Sequence, residues 1–212
     1  MVQAILQGSK TQTRRIVSES NCTGDKRAYG YKWSDFDLEN AQRDNLGGVD
    51  YLHLPLPAMG TRHRMYPKWD IGSRLWVRET WQWEGDTKWT DARPIGSFWY
   101  KADGHGSSGP SRYKPSIHMP KAAARIWLEV EEVRVERLQD ISEADAIAEG
   151  VGAGFQMNAG WPDYTRIKNG VCELTQDTAQ MSYETLWQSI NGPESWEQNP
   201  FVWVVKFKRL DR

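Results

Sequence analysis

The sequence predicts an α+β fold: a small β-barrel with short helices at its ends and two long loop insertions. Three observations carry this expectation. Short helical patterns are interleaved with four or more strand patterns. One strand pattern, from Ala124 to about Leu138, is long and changes phase midway, as a strand bent into a barrel does. The regular strand–helix alternation of a doubly wound sheet is absent. At 212 residues the chain fits a single domain, 1–212, with insertions at about 18–68 and 151–180.

Taken in order, Val2, Ala4, Ile5 and Leu6 form a short helix ended by Gly8, a good C-cap residue. The segment Lys10–Arg15 follows as a loop, anchored by Ile16 and Val17. From 18 to 68 the chain is polar, rich in Gly, Asn and Asp, and has no sustained period; Trp33, Phe36 and Tyr51 give it partial order. A turn at Asp70-Ile71-Gly72-Ser73 leads into a strand, Arg74–Thr80. Period two there puts Leu75, Val77 and Glu79 on one face. Phe98–Lys101 is a second short strand, followed by the glycine-rich stretch 104–109. In the long strand, Ile126, Leu128 and Val130 point inward, and the set resumes out of phase at Val133 and Val135; a β-bulge near Glu131-Glu132 repairs the slip. Ser142 caps a short helix ended by Gly150, with Ile141 and Ala146 as its staple. After the polar stretch 151–180, Tyr183, Leu186, Trp187 and Ile190 mark one face of a helix from about Ser182, stopped by Asn191-Gly192-Pro193. The last strand, Phe201 to Leu210, alternates Phe201, Trp203, Val205 and Phe207 against Val202, Val204, Lys206 and Lys208.

Composition limits the function classes. Lys and Arg total 27 against 28 Asp and Glu, a net charge of −1, which excludes a uniformly basic nucleic-acid coat but leaves room for a local patch. Lys10, Arg14, Arg15, Lys26, Arg27 and Lys32 cluster early; Arg62, His63, Arg64, Lys68, Arg74 and Arg78 follow. The 12 tryptophans serve packing or stacking on flat ligands, and packing accounts for most of them. With no basic-then-apolar leader and no apolar run near 18 residues, no membrane partner is expected and the chain is placed in the cytoplasm. Cys22 and Cys172 lie far apart without a Cys-x-x-Cys spacing, which fits reduced thiols. His53, His63, His105 and His118 have no partner at metal-ligand spacing, so neither metal nor cofactor is expected. Gly8-Ser9-Lys10-Thr11 resembles the tail of a phosphate-binding loop, but Gln3 stands where that motif needs glycine and no strand precedes it.

Three features are left for chemistry. Lys10 and Thr13 lie three residues apart, so a turn is needed to bring them together; a lysine beside a threonine can activate the hydroxyl, bind a phosphate or polarise a carbonyl. Spacing alone points first to a solvated turn, with Lys10, Arg14 and Arg15 in solvent and Thr11 and Thr13 capping it. Glu149 lies in the last turn of the helix begun at Ser142, a carboxylate at the negative end of the helix dipole. That placement is poor for stability and useful for a proton-transfer group, although a surface glutamate fits as well. Glu79 shares a face with two aliphatic residues, which calls for an ion pair with a nearby arginine or for a functional role.

The patches Met1–Arg15, Gly72–Thr80, Ser116–Pro120, Arg134–Ile141, Glu149-Gly150-Val151 and Asn199–Val204 together resemble the ASCH domain family, and most of all its longer members from bacteriophages and prophages. The resemblance implies a PUA-like barrel with a cleft beside it, in a bacterial host cell. Small members hydrolyse N4-acetylcytidine with a lysine and threonine of Gly-x-Lys-x-x-Thr and a downstream glutamate, which carry over to Lys10, Thr13 and Glu149. Arg14, Arg15, Trp76, Arg78, Glu79 and His118 are then candidate contacts to the partner, a modified nucleoside or a nucleic acid, RNA before DNA. Other members bind or cleave RNA, so a binding module, a ribonuclease and a phage assembly or host-interaction protein are alternatives. The resemblance also implies a strand ahead of the opening helix, and its loss would expose a sheet edge beside the site.

Overall fold

A computed structural model describes residues 2–18, 20, 22–24, 33–46, 48–85, 96–104, 112–152, 160–168, 171–172 and 175–211. The basic residues Lys26, Arg27 and Lys32 and the stretch 105–111 lie outside them. The chain begins with α1 (Val2–Leu6) and β1 (Gln12–Ile16). Four strands follow: β2 (Cys22–Gly24), β3 (Gln42–Leu46), β4 (Val49–Leu56) and β5 (Thr61–Pro67). Next come β6 (Arg74–Trp76), β7 (Trp81–Gly85), β8 (Gly96–Tyr100) and the long β9 (Trp127–Arg137), then α2 (Glu143–Ala148). The short pieces β10 (Trp161–Pro162), β11 (Ile167–Lys168), β12 (Val171–Cys172) and β13 (Thr175–Gln176) lead to α3 (Ala179–Asn191) and β14 (Phe201–Leu210). The fold is α+β and mostly antiparallel sheet, with one sheet curled into a half-barrel and few short helices. Among the described residues no helix is long and apolar enough to cross a membrane.

The chain forms two compact units, 3–73 with 129–208, and 74–128 with 209–212. In the first unit β14 lies between β1 and β9. Its pairing with β1 is antiparallel, Gln12 opposite Lys206 and Ile16 opposite Val202. The expected alternation holds only in the second half of β14. Val202, Trp203, Val204 and Val205 are all buried, because a central strand is covered on both faces. In β9, Leu128, Val130, Val133 and Val135 are buried while Glu131 and Glu132 are both exposed, so the phase slip falls where the sequence places it. Leu138, Ile141, Ala146, Tyr183, Trp187 and Val202 form the core under α2 and α3. α3 starts at Ala179, three residues earlier than expected, because Thr178 accepts a hydrogen bond from the Met181 amide and caps it. Ile190 is 61% exposed and does not join the core face.

The expected loop at 18–68 is instead a four-stranded antiparallel sheet of order β2–β5–β4–β3. Leu52, Leu54 and Leu56 alternate inward along β4, with Met65 of β5 beside them, and all four are buried. Asp50, also buried, accepts from the Val135 amide (3.2 Å) and pairs with Arg43 (2.9 Å), tying this sheet to β9. The Cys22 sulfur accepts from the Trp203 indole nitrogen at 3.4 Å; the side chain of Cys172 lies outside the described residues.

The Ser142 hydroxyl accepts from the Asp145 amide at 3.1 Å, the cap read from the sequence. Ser142→Ala is expected to cost about 1 kcal/mol in chemical denaturation; an unchanged midpoint would show that the cap does not hold α2. Gly150 ends the helix at φ +85°, and a Cβ there would lie 3.0 Å from the Cβ atoms of both Ala4 and Lys10. Glycine therefore stops α2 and lets the Lys10 stem lie against the turn.

In the second unit β7 and β8 form a hairpin with Trp81 opposite Tyr100 and Trp83 opposite Phe98. These aromatic residues pack with Met119, Ala123 and Ala124. β6 ends at Trp76, so the expected strand to Thr80 is shorter than its alternation suggested, and residues 77–80 run on without regular pairing.

Candidate active site

The segment expected as a loop with a turn is a bridge residue, Lys10, and, after Thr11, a strand. Lys10, Gln12 and Arg14 therefore alternate onto one side and all three are buried, at 4%, 3% and 2% exposure. What they face is the C-terminal end of α2. Gln12 donates to the Asp145 carbonyl (3.0 Å). Lys10 Nζ donates to the Glu149 carbonyl at 2.7 Å and to Glu149 Oε2 at 2.8 Å. The lysine thus satisfies a backbone carbonyl at the end of the helix and offsets the carboxylate set against its dipole.

Arg14 is the hub of this cluster, its side chain fully buried. It donates to Glu136 Oε1 through Nε (3.2 Å) and through its second terminal nitrogen, and to Glu149 Oε1 at 3.2 Å. Asp145 Oδ2 lies 3.4 Å away, and the guanidinium sits 5.7 Å from the centre of the Tyr183 ring. Arg134 holds the outer oxygens, Glu136 Oε2 at 3.2 Å and Asp145 Oδ2 at 3.0 Å. Burial raises the Asp145 pKa, but Arg134, Gln12 and Arg14 outweigh it and the net shift is downward.

These groups floor a cavity of about 380 Å³. Lys10, Thr13, Arg14, Arg15 and Glu149 supply its polar wall; Tyr183, Leu186, Trp187 and Ile190 supply an apolar wall from α3. The volume is in the range of small-molecule sites. Burial pulls the Lys10 ammonium below the usual lysine value, against the opposing pull of Glu149. Burial pushes the Tyr183 phenol well above its ordinary value, with the Glu149 charge adding to it, so the ring stays neutral. Thr13 lies on the other face of β1 from Lys10 and borders the same cavity. Its Oγ1 accepts from the Arg15 guanidinium at 2.7 Å, which also donates to the Arg14 carbonyl at 2.8 Å. Arg15 is exposed and Arg14 is not, so of the two expected partner contacts Arg15 alone presents charge to solvent.

Trp76, Arg78, Glu79 and His118 belong to the second unit. Glu79 is 1% exposed and its carboxylate takes a two-pronged bond from Arg125 (3.0 and 2.8 Å). Arg125 also reaches Asp103 at 2.8 Å and lies 4.0 Å over the Tyr100 ring. The ion pair that apolar neighbours call for is therefore present, and it commits Glu79 to structure. Arg78 lies 4.9 Å over Trp76 and donates weakly to the Ile117 carbonyl (3.4 Å). His118 is exposed at the end of a short 3-10 turn, Ser116–His118.

Sequence reasoning missed Glu136, Arg134 and Asp145 as partners of the site. The alternation Glu132, Arg134, Glu136 on the polar side of β9 was a readable sign of a paired face. Tyr183 and Trp187, expected on one face of a helix, belong to the core, and both also border the cavity. Among the described residues no group of three His, Cys, Asp or Glu side chains is placed to hold a metal. No protein-family model matches the chain, and it matches no curated protein or solved structure.

Proposed function

We propose that the Lys10–Glu149 cavity takes the base of a modified cytidine and hydrolyses its N4-acyl amide, as an ASCH-type, PUA-like domain of the longer phage kind. The observation that carries this reading is the buried 2.8 Å contact of Lys10 with Glu149 on a floor shared with Thr13 and faced by an aromatic wall. A neutral lysine amine has two N–H donors and one lone pair. Both donors are used on Glu149, at 2.7 and 2.8 Å, leaving the lone pair to accept a proton. Desolvation favours that neutral form. The Arg15 bond to Thr13 Oγ1 stabilises negative charge as it develops on that oxygen.

In this reading Thr13 Oγ attacks the acyl carbonyl and its proton reaches Lys10 through a water held between them in the cavity both residues line, and Lys10 passes one to Glu149. The C–N4 bond breaks as Glu149 protonates the leaving amine. Water then attacks the acyl-threonine ester, Glu149 takes the proton of the water, and Thr13 leaves with it, releasing the carboxylic acid. Incubation with N4-acetylcytidine should release cytidine and acetate, and Lys10→Ala should slow this by roughly 10²–10⁴-fold. The rate should rise with pH as Lys10 loses its proton, with an inflection below the usual 10.5 of lysine. Turnover no faster than that of Lys10→Ala removes the hydrolase reading.

One observation favours binding without hydrolysis. Both oxygens of Glu149 already carry a cation, Lys10 on Oε2 and Arg14 on Oε1, as a purely structural ion pair would have them. In that case Arg15 carries salt-dependent binding of RNA and Glu149→Gln leaves affinity unchanged.

A further inference from the structure

We propose that the second unit carries a binding surface of its own, for single-stranded nucleic acid. The proposal rests on the nucleobase reading of the Lys10 cavity for its choice of polymer, and on the second unit's own chemistry for the surface. Charge is the first observation. The chain is −1 as a whole, yet residues 74–128 hold nine Lys and Arg against five Asp and Glu, a local excess of four positive charges.

Pairing sharpens this. Glu79 and Asp103 are both spent on Arg125. Among the described residues no carboxylate pairs with Arg74, Arg78, Lys114 or Lys121. Asp211 lines a cavity with Arg74, but among the described residues none of these cations has an ion-pair partner, and such cations are set for an anion from outside.

The aromatic residues are the second, independent observation. Two half-buried indoles each carry a cation, with Arg78 4.9 Å over Trp76 and Lys121 5.4 Å over Trp127; Trp81, under Lys114, is buried in the aromatic core and offers no face. Trp127 and Arg74 also line a cavity of about 440 Å³ with Leu210 and Asp211. A cation beside a half-exposed indole offers one contact for a phosphodiester oxygen and one for a base, which is the chemistry of an unpaired strand. A duplex hides its base faces, and an acidic peptide offers charge without rings.

The test uses the whole chain and a fluorescein-labelled 12-nucleotide oligouridylate, read by anisotropy between 50 and 200 mM salt, with oligothymidylate, a duplex of equal length and polyglutamate alongside. The single strands are expected to bind with an affinity that falls steeply with salt. The exposed pair Lys114→Glu with Lys121→Glu should weaken binding about tenfold or more and flatten the salt slope. Trp127→Leu should weaken it by roughly 5-fold or more, and Trp127→Phe should restore most of the loss. Both sets should leave turnover of the mononucleoside N4-acetylcytidine unchanged. Absence of strand binding at 50 mM salt, equal affinity for polyglutamate or the duplex, or an unaffected charge-reversed pair overturns the proposal. Strand binding without N4-acetylcytidine turnover overturns the hydrolase reading alone.

Discussion

Arg14→Met is expected to destabilise the chain by about 3–5 kcal/mol, a fall in Tm of roughly 6–20 °C. The reason lies in which oxygens Arg14 serves. Lys10 holds only Oε2 of Glu149, and Arg134 holds only Oε2 of Glu136. Both Oε1 atoms depend on Arg14. Methionine fills much of the volume but donates nothing, so two carboxylate oxygens, one in a residue only 5% exposed, lose their donor in a poorly solvated place. Arg15→Met, one residue along and exposed, should shift stability by at most about 1 kcal/mol. Thermal denaturation of the two variants side by side decides the matter, and equal midpoints would mean that the Arg14 cluster contributes no more than a surface pair.

Arg125→Ala should cost a similar amount, about 3–5 kcal/mol, through the second unit. It strands the Glu79 carboxylate, 1% exposed, with neither of the two bonds it now accepts, and strips the cover from the Tyr100 ring. Adding Glu79→Gln to that variant should recover part of the loss, because an uncharged amide is far cheaper to leave buried than a carboxylate. If Glu79→Gln alone keeps the melting temperature but abolishes N4-acetylcytidine turnover, Glu79 acts in chemistry and the structural assignment made from its pairing is wrong.

Legibility in the sequence followed the range of the forces involved. The Ser142 cap, the Gly150 stop and the phase slip at Glu131-Glu132 are local, set by a few neighbouring residues, and each appears where its residue type requires. The burial of Glu79 was also readable, because period two fixes which face a side chain takes. Its partner Arg125, 46 positions on, was not. The same holds for the 139 positions between Lys10 and Glu149. β3 shows why the 22–67 sheet was missed. All five of its residues are exposed, so it carries no apolar period, and it is strand because β4 pairs with it. The inward leucines of β4 were visible, but the proline and glycines around them resembled loop signals. In β1 the error was of type: a basic, polar run looks solvated, yet Lys10 and Arg14 are buried because acidic groups from β9 and α2 meet them.

The place of β14 has a consequence for synthesis on the ribosome. The 22–67 sheet closes within a short stretch of chain and can form early. β1 cannot complete its pairing then, because Lys206, opposite Gln12, is made 194 positions later. Until that strand emerges, the side of β1 that will join it is an open template, next to two cations destined for the interior. The nascent chain is thus prone to aggregate until β14 is translated, and a ribosome stalled ahead of Phe201 should hold a product without this cavity's β1 wall in place.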